Sequence, residues 1–271
     1  MNNELKRLQI EKATIADDEQ PIRLKTVLQS GHLGDLLYSL SAIQAIGEPV
    51  HFYVGFKLSN GVPNHPSGRY CMNSEMYAYI KPLLQAQPYI SQVSIHDSKI
   101  VDYNFDQFRN IGLNLACGDL RRSHFQVYPE LATDLTQPAL FVEQTFPQFN
   151  DSIVINFSSR YRNRHMNYSF LQNYNVIFVG LDQEYDEFVA RNHWQPKRML
   201  IDDALQMAML VKSCKLFIGN QSSTYAIAEQ LKVPRLLESY QPCPNVIPMG
   251  ANGYDYTNQS TLEYFVKKLI N

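Results

Sequence analysis

The chain has 271 residues and a formal net charge of -2, with 45% hydrophobic and 18% charged residues. That length accommodates two modest domains, and the low charge content excludes a disordered or coiled-coil chain. The charge balance excludes a globally basic nucleic-acid coat, though not a local basic groove. No apolar run approaches the ~18–20 residues needed to cross a bilayer. The polar stretch Met1 to Gln20 lacks the apolar centre of a signal peptide, so a cytoplasmic protein is expected. Cys71, Cys117, Cys214 and Cys243 are scattered, with no Cys-x-x-Cys pair, which argues against both a zinc site and a disulfide framework.

In chain order, a short helix is expected at residues 4–12, then a strand at 23–28. A glycine turn follows, and then a helix at 36–46 with apolar residues at helical spacing. A second strand covers 50–54. Residues 57–69 form a long loop rich in Gly, Pro, Asn and Ser. A helix at 76–86 contains Pro82, which should kink or end it. A short strand is expected at 93–95, residues 100–108 are ambiguous, and 114–118 read as a strand running into a turn. Pro138, Pro147 and a run of Gln and Asn break the pattern, which places a domain boundary at 147/148. The rhythm then restarts. Strands at 152–157, 176–179, 216–218 and 235–237 alternate with helices at 182–190, 204–212, 225–231 and 262–270. The strand at 152–157 is a continuous apolar run, as a strand covered on both faces should be. Such alternation implies parallel sheets, hence two Rossmann-like domains, 1–147 and 148–271, with a cleft between them.

Four stretches could carry chemistry. In the first turn, Gly31-His32-Leu33-Gly34-Asp35, the glycines let the backbone approach a ligand. The turn sits at the carboxyl end of a strand, where open α/β sheets bind ligands. Asp35 reads either as a helix cap or as a carboxylate facing the cleft. The second stretch, Gln221-Ser222-Ser223-Thr224, opens a helix and is either an ordinary cap or an anion site. The third contains Asn156, Ser158, Arg160, Arg162 and Asn163. Its guanidinium groups suit phosphate, or else form a solvated basic loop. Gly180, closing the next strand, is grouped with it. The fourth is Glu238 at a strand end, which reads as a ribose-hydroxyl acceptor or as a surface acid. Arg121 and Arg122 could bind an acceptor phosphate or form a solvated turn. Asp182-Gln183-Glu184 and Asp202-Asp203 read as helix caps. No metal site is assembled.

The run Gly34-Asp35-Leu36-Leu37-Tyr38-Ser39-Leu40-Ser41-Ala42 resembles the opening motif of the ADP-heptose:lipopolysaccharide heptosyltransferases, Gly-Asp-Val/Leu-Leu-x-Thr/Ser-x-Pro-Ala, with Ser41 in place of Pro. The stretch from Gly219 resembles their Gly-Asn-Asp-Ser-Gly-Pro-x-His-x-Ala. Asn220, Ser222 and Ala228 agree there, while Gln221, Ser223 and Ala226 replace the acid, the second Gly and the His. Residues from about 153 to 238 also resemble phage and bacterial transferase-like proteins with an Arg-Tyr-Arg-Asn segment. The resemblance implies a GT-B fold and a glycosyltransferase that takes a nucleotide sugar; with no Asp-x-Asp beside a diphosphate site and arginines to carry the charge, neither a metal nor a further cofactor is expected. It implies Asp35 as general base in an inverting transfer. It places the donor on Asn156, Ser158, Arg160, Arg162, Asn163, Gly180, the 221–224 turn and Glu238. The acceptor falls on Gly31, His32, Gly34, Arg121 and Arg122. That acceptor is a saccharide or, as the alternative, a hydroxymethylated DNA base; the DNA reading needs a basic stripe from residues 160–164 with Arg121 and Arg122. A catalytically silent nucleotide-sugar-binding protein of the same fold is the other alternative, favoured by the changes at Gln221 and Ala226.

Overall fold

A computed structural model describes residues 23–61 and 67–271; the helix expected at 4–12 lies outside them. The first sheet contains β1 (Lys25–Gln29), β2 (Val50–Val54), β3 (Ile90–Ile95) and β4 (Tyr103–Asn104), in the order β3-β2-β1-β4. The second contains β5 (Ile153–Asn156), β6 (Val176–Phe178), β7 (Lys197–Arg198), β8 (Leu216–Asn220), β9 (Arg235–Glu238) and β10 (Gly253–Tyr256), in the order β10-β9-β8-β5-β6-β7. Every strand pairing within these two sheets is parallel. The helices are α1 (Leu33–Gln44), α2 (Ser74–Gln85), α3 (Leu120–Val127), α4 (Asp182–Asn192), α5 (Ala204–Ser213), α6 (Ser223–Leu231) and α7 (Gln259–Ile270). The chain is therefore α/β with two parallel sheets. The change of sheet falls between Asn104 and Ile153, the interval that contains residues 147/148.

The central strands form where the apolar runs are unbroken. All residues of β5, β6, β8 and β9 are buried, as parallel strands with both faces covered require. Helix ends follow local chemistry: Asn73, Asp203, Ser222 and Asn258 each accept a first-turn N–H with the side chain. Helix α2 contains Pro82 and ends one turn later at Gln85. The strand expected at 114–118 is absent: this segment is turn, and most of it is exposed with no sheet edge to join. Strands β4 and β7, with two residues each, and β10 are too short or too polar to stand out in the sequence.

Helices of the two halves pack on each other in two pairs, α1 on α6 and α2 on α5. Helix α1 buries all of Leu36–Ile43 and α6 buries all of Thr224–Leu231. A helix buried on every side must be covered on every side, and α1 and α6 pack on each other. Gln230 stitches that contact: its Nε2 donates to Leu37 O at 2.7 Å, and its Oε1 accepts from Ser41 Oγ at 3.1 Å. One apolar core consequently runs from Val27 and Phe52 through Leu40 and Ala226 to Phe217 and Leu237.

Behind this contact lies a buried charge cluster. Glu229 is fully buried and accepts from Arg121 Nη1, Lys232 Nζ and Arg235 Nε, each at 2.5 Å. Asp119 holds Arg121 from the other side at 2.6 Å. Burial pushes the Lys232 amine down to about 8, and Glu229 opposes that shift. The cluster ties α3 of the first half to α6 and β9 of the second. Removing one partner of such a group leaves buried charge uncompensated, at a cost of about 3–5 kcal/mol. Glu229→Gln should lower unfolding stability by that amount in urea titrations; a loss under about 1 kcal/mol would mean that the cluster is solvated and contributes little.

Candidate active site

Both sheets open into one cavity of about 1040 Å³. In each sheet the cavity lies at the carboxyl ends of neighbouring strands, the end at which open parallel sheets bind ligands. In the first sheet these are β1 and β4, followed by the 30–35 turn and the 3-10 segment Phe105–Asn110. In the second they are β5 and β8, followed by Phe157–Tyr161 and the start of α6. Of the residues expected in a site, the cavity wall includes His32, Gly34, Asp35, Asn156, Ser158, Arg160, Gly180, Gln221, Ser222, Ser223 and Thr224.

Asp35 stands in the first turn of α1, at the third helical position rather than at the cap, which is His32. Its Oδ2 accepts from His32 N–H at 3.0 Å and from Arg109 Nη2 at 3.0 Å. Arg109 is in turn held by Asp106 Oδ1 at 3.0 Å and Gln29 Oε1 at 3.3 Å, and it lies 4.3 Å from the centre of the Phe108 ring. Sequence reasoning missed Arg109 because it follows a two-residue strand in the stretch whose pattern was ambiguous. Gly31 is not in the cavity wall. Its role is room: a Cβ there would lie 2.2 Å from Asp35 Oδ2 and 2.5 Å from Arg109 Nη2. Burial holds the His32 imidazole below its ordinary value, with Asp35 opposing this and Arg160 reinforcing it. His32 thus feels the carboxylate of one half and the guanidinium of the other.

On the opposite wall, side chains from one strand end hold the neighbouring strand end. Ser222 caps α6 and donates to Asn156 Oδ1 at 2.7 Å, and Asn156 Nδ2 donates to Val179 O. Asn220 Oδ1 accepts from Ser158 N at 3.0 Å, while its Nδ2 donates to Ser158 O at 2.9 Å and Arg160 O at 2.5 Å. These bonds support Tyr161 in the left-handed region, at φ 54°, and project the Arg160 side chain into the cavity wall. The Arg160 guanidinium has no ion pair or side-chain hydrogen bond among the described residues. Its contact is the Tyr161 ring, 5.3 Å away. Ser223 and Thr224 beside it belong to the first turn of α6, whose leading N–H groups have no intrahelical acceptor, and that turn carries no acid. Glu184 also lines the cavity; burial raises its carboxyl, and it caps α4 by accepting from Leu181 N–H at 2.9 Å. Arg198, Leu181 and Leu200, also missed in the sequence, complete that side. Arg198 pairs with Asp182.

Other expected site residues lie elsewhere. Glu238 is fully buried and takes no part in the wall. It accepts from Asn163 N–H and from Tyr168 O–H, and it lies 3.6 Å from Arg162 Nε. These three partners make Glu238, Arg162 and Asn163 the anchor beneath the Arg160 loop rather than ligand contacts. Arg121 belongs to the buried Glu229 cluster, so it cannot meet an acceptor phosphate. Arg122 is exposed outside the cavity wall. Of the arginines in the stripe that a DNA acceptor would need, Arg121 is buried on carboxylates and Arg162 is partly buried beside Glu238. Gln221 lines the cavity, but its side chain is committed to the 240–245 loop.

No family model and no curated protein matches this chain. Solved structures do. A glycosyl transferase family 9 protein from Veillonella parvula DSM 2008 superposes with a TM-score of 0.59 at 12% identity, over 92% of this chain and 89% of that one. E. coli ADP-heptose LPS heptosyltransferase II gives 0.58 at 13% identity, over 92% and 98%. E. coli heptosyltransferase WaaC, solved with ADP, gives 0.60 at 8% identity, over 91% and 100%. Among the described residues no helix is long and apolar enough to cross a membrane.

The Gly31 geometry makes a direct prediction. Gly31→Ala should part Asp35 from Arg109 and destabilise the fold by roughly 1–3 kcal/mol, the usual cost of overpacking. Unchanged urea stability, with the pair intact in a crystal structure of the variant, would contradict it. Across this site the chain carries the fold of the heptosyltransferases, two parallel sheets opening on a shared cavity.

Proposed function

We propose that the chain is a glycosyltransferase that moves a sugar from a nucleotide-sugar donor to an acceptor hydroxyl. The observation that carries this reading is the unpaired Arg160 guanidinium beside the acid-free first turn of α6, in the same cavity as the Asp35 carboxylate. A cation and free backbone amides suit a diphosphate. Helix α1 already holds a carboxylate in its first turn, and α4 holds Asp182 and Glu184 in its own. Of these three helix starts, α6 is the one ready for an added anion. The fold neighbours support a nucleotide donor, since one of them is described with ADP.

In this reading the second half holds the diphosphate through Arg160, Ser223 and Thr224. Asp35 takes the proton from the acceptor hydroxyl. The acceptor oxygen attacks the anomeric carbon on the face opposite the departing diphosphate, so configuration inverts. Arg160 and the amide end of α6 neutralise the leaving group, which assigns that task to the protein rather than to a metal. The first half presents the acceptor site around His32 and Gly34, and the functional division follows the boundary at 147/148.

A thermal-shift screen of ADP, UDP and GDP with their sugars tests the donor side. A nucleotide at 100 times its dissociation constant stabilises the fold by about 2.7 kcal/mol. Arg160→Ala should abolish that shift without lowering the ligand-free melting temperature, and transfer should survive EDTA. An unchanged shift removes Arg160 from the donor site; activity lost to EDTA and restored by Mg²⁺ or Mn²⁺ removes the metal-free assignment. For the base, Asp35→Asn should cut turnover by roughly 10²-fold or more while nucleotide affinity stays. Turnover near wild type would end the general-base role.

A further inference from the structure

We propose that Arg109 is the positioning residue that decides which oxygen of Asp35 receives the proton, and that this oxygen is Oδ1. The inference rests on the transferase reading above. Both donors to the carboxylate, His32 N–H and Arg109 Nη2, fall on Oδ2 at 3.0 Å. Oδ1 has no hydrogen-bond partner among the described residues, and Asp35 lines the cavity. Rotating the carboxylate would break both bonds to Oδ2 at once.

Arg109 is itself immobilised, which separates it from an ordinary surface partner. Its Nη1 is held by Asp106 and Gln29, its guanidinium lies on the Phe108 ring, and its side chain is 20% exposed. Gln29 ends β1 and Asp106 follows β4, so the guanidinium bridges the two strand ends that bound the cavity in the first sheet. Gly31 leaves the space in which the pair lies. A planar fork with several donors can serve Asp35, Asp106 and Gln29 together; an ammonium on a flexible stem cannot match that geometry.

The step balances as follows. The acceptor O–H bond breaks and its proton goes to Asp35 Oδ1. The acceptor oxygen uses that electron pair to bond to the anomeric carbon. The bond from the anomeric carbon to the diphosphate oxygen breaks, and its electron pair leaves with the diphosphate. Oδ2 stays on Arg109 and His32 throughout, so the carboxyl group keeps its orientation as it becomes neutral. Misplacing a reacting group by about 1 Å costs on the order of 10²-fold in rate, the scale on which losing Arg109 should act.

The experiment measures nucleoside-diphosphate release from ADP-, UDP- and GDP-sugars, with and without saccharide acceptors, for the wild type, Asp35→Asn, Arg109→Gln and Arg109→Lys. Titration with the free nucleoside diphosphates and thermal melts accompany each protein. Arg109→Gln should lower kcat by roughly 10- to 100-fold, with donor KM, nucleotide affinity and melting temperature nearly unchanged, and Arg109→Lys should recover part of the loss. Wild-type kcat in Arg109→Gln, with Asp35→Asn inactive, overturns the positioning role and leaves the base in place. A kcat loss accompanied by equal losses of nucleotide affinity and melting temperature makes Arg109 a structural residue and also overturns it. Full activity in Asp35→Asn, or no release from any sugar by the wild type, overturns the transferase reading on which the inference stands.

Discussion

The packing of α6 on α1 is the contact on which the cavity depends. Each helix starts at the carboxyl end of the first strand in its βα unit, β1 for α1 and β8 for α6, so each carries its amide end to the same side. Pressing the two together brings those ends to one space. The two ends differ in one respect. The first turn of α1 contains Asp35, whereas that of α6 contains no acid. The field of a helix start favours negative charge; in α1 the protein's own carboxylate supplies it, and in α6 nothing does. The two amide ends that meet at the cavity therefore differ in charge, one neutralised from within the chain and one not.

Holding the helices together costs the chain several buried polar groups. Gln230 and Ser41 satisfy each other across the contact, and Glu229 gathers three cations behind it. Such a cluster adds little net stability over a well-packed apolar one. It does impose geometry: Arg121 reaches Glu229 only when α3 and α6 lie in one arrangement. With an apolar core continuous across both halves, the two sheets are fixed relative to each other by shape and by charge together.

What was legible in the sequence is what local pattern encodes. Apolar runs gave the buried strands, the glycine turn gave the start of α1, and hydroxyl residues gave the start of α6. Asp35, Arg160 and the 221–224 turn follow strands of that kind, and all of them reach the cavity. Arg109 follows β4, whose two residues carry no periodicity. Glu238, Arg162 and Arg121 were misplaced for a different reason. A charged residue reads as exposed until its buried partner is known: Asn163 lies 75 positions from Glu238, and Glu229, which draws Arg121 and its neighbour Asp119 into the core, lies 108 positions from Arg121. Burial of charge is decided by tertiary pairing, which no local window contains.

The same distinction bears on the two departures from the heptosyltransferase-like pattern. Gln221 stands where that pattern has an acid. Its Nε2 donates to Cys243 O and Asn245 Oδ1, both at 2.8 Å, and its Oε1 accepts from Tyr240 N–H at 3.1 Å. An ionised carboxylate cannot make the first two bonds, because it has no proton to give. Ala226, in place of the His, is fully buried in the core shared with α1, where an imidazole would need both space and a polar partner. Both changes are thus explained by how α6 meets its surroundings. Asn245, which Gln221 holds, lines the cavity and donates to Leu115 O in the first half at 2.9 Å. The substitution rebuilds one wall of the cavity across the two halves. It leaves Arg160, the acid-free helix start and Asp35 in the cavity wall.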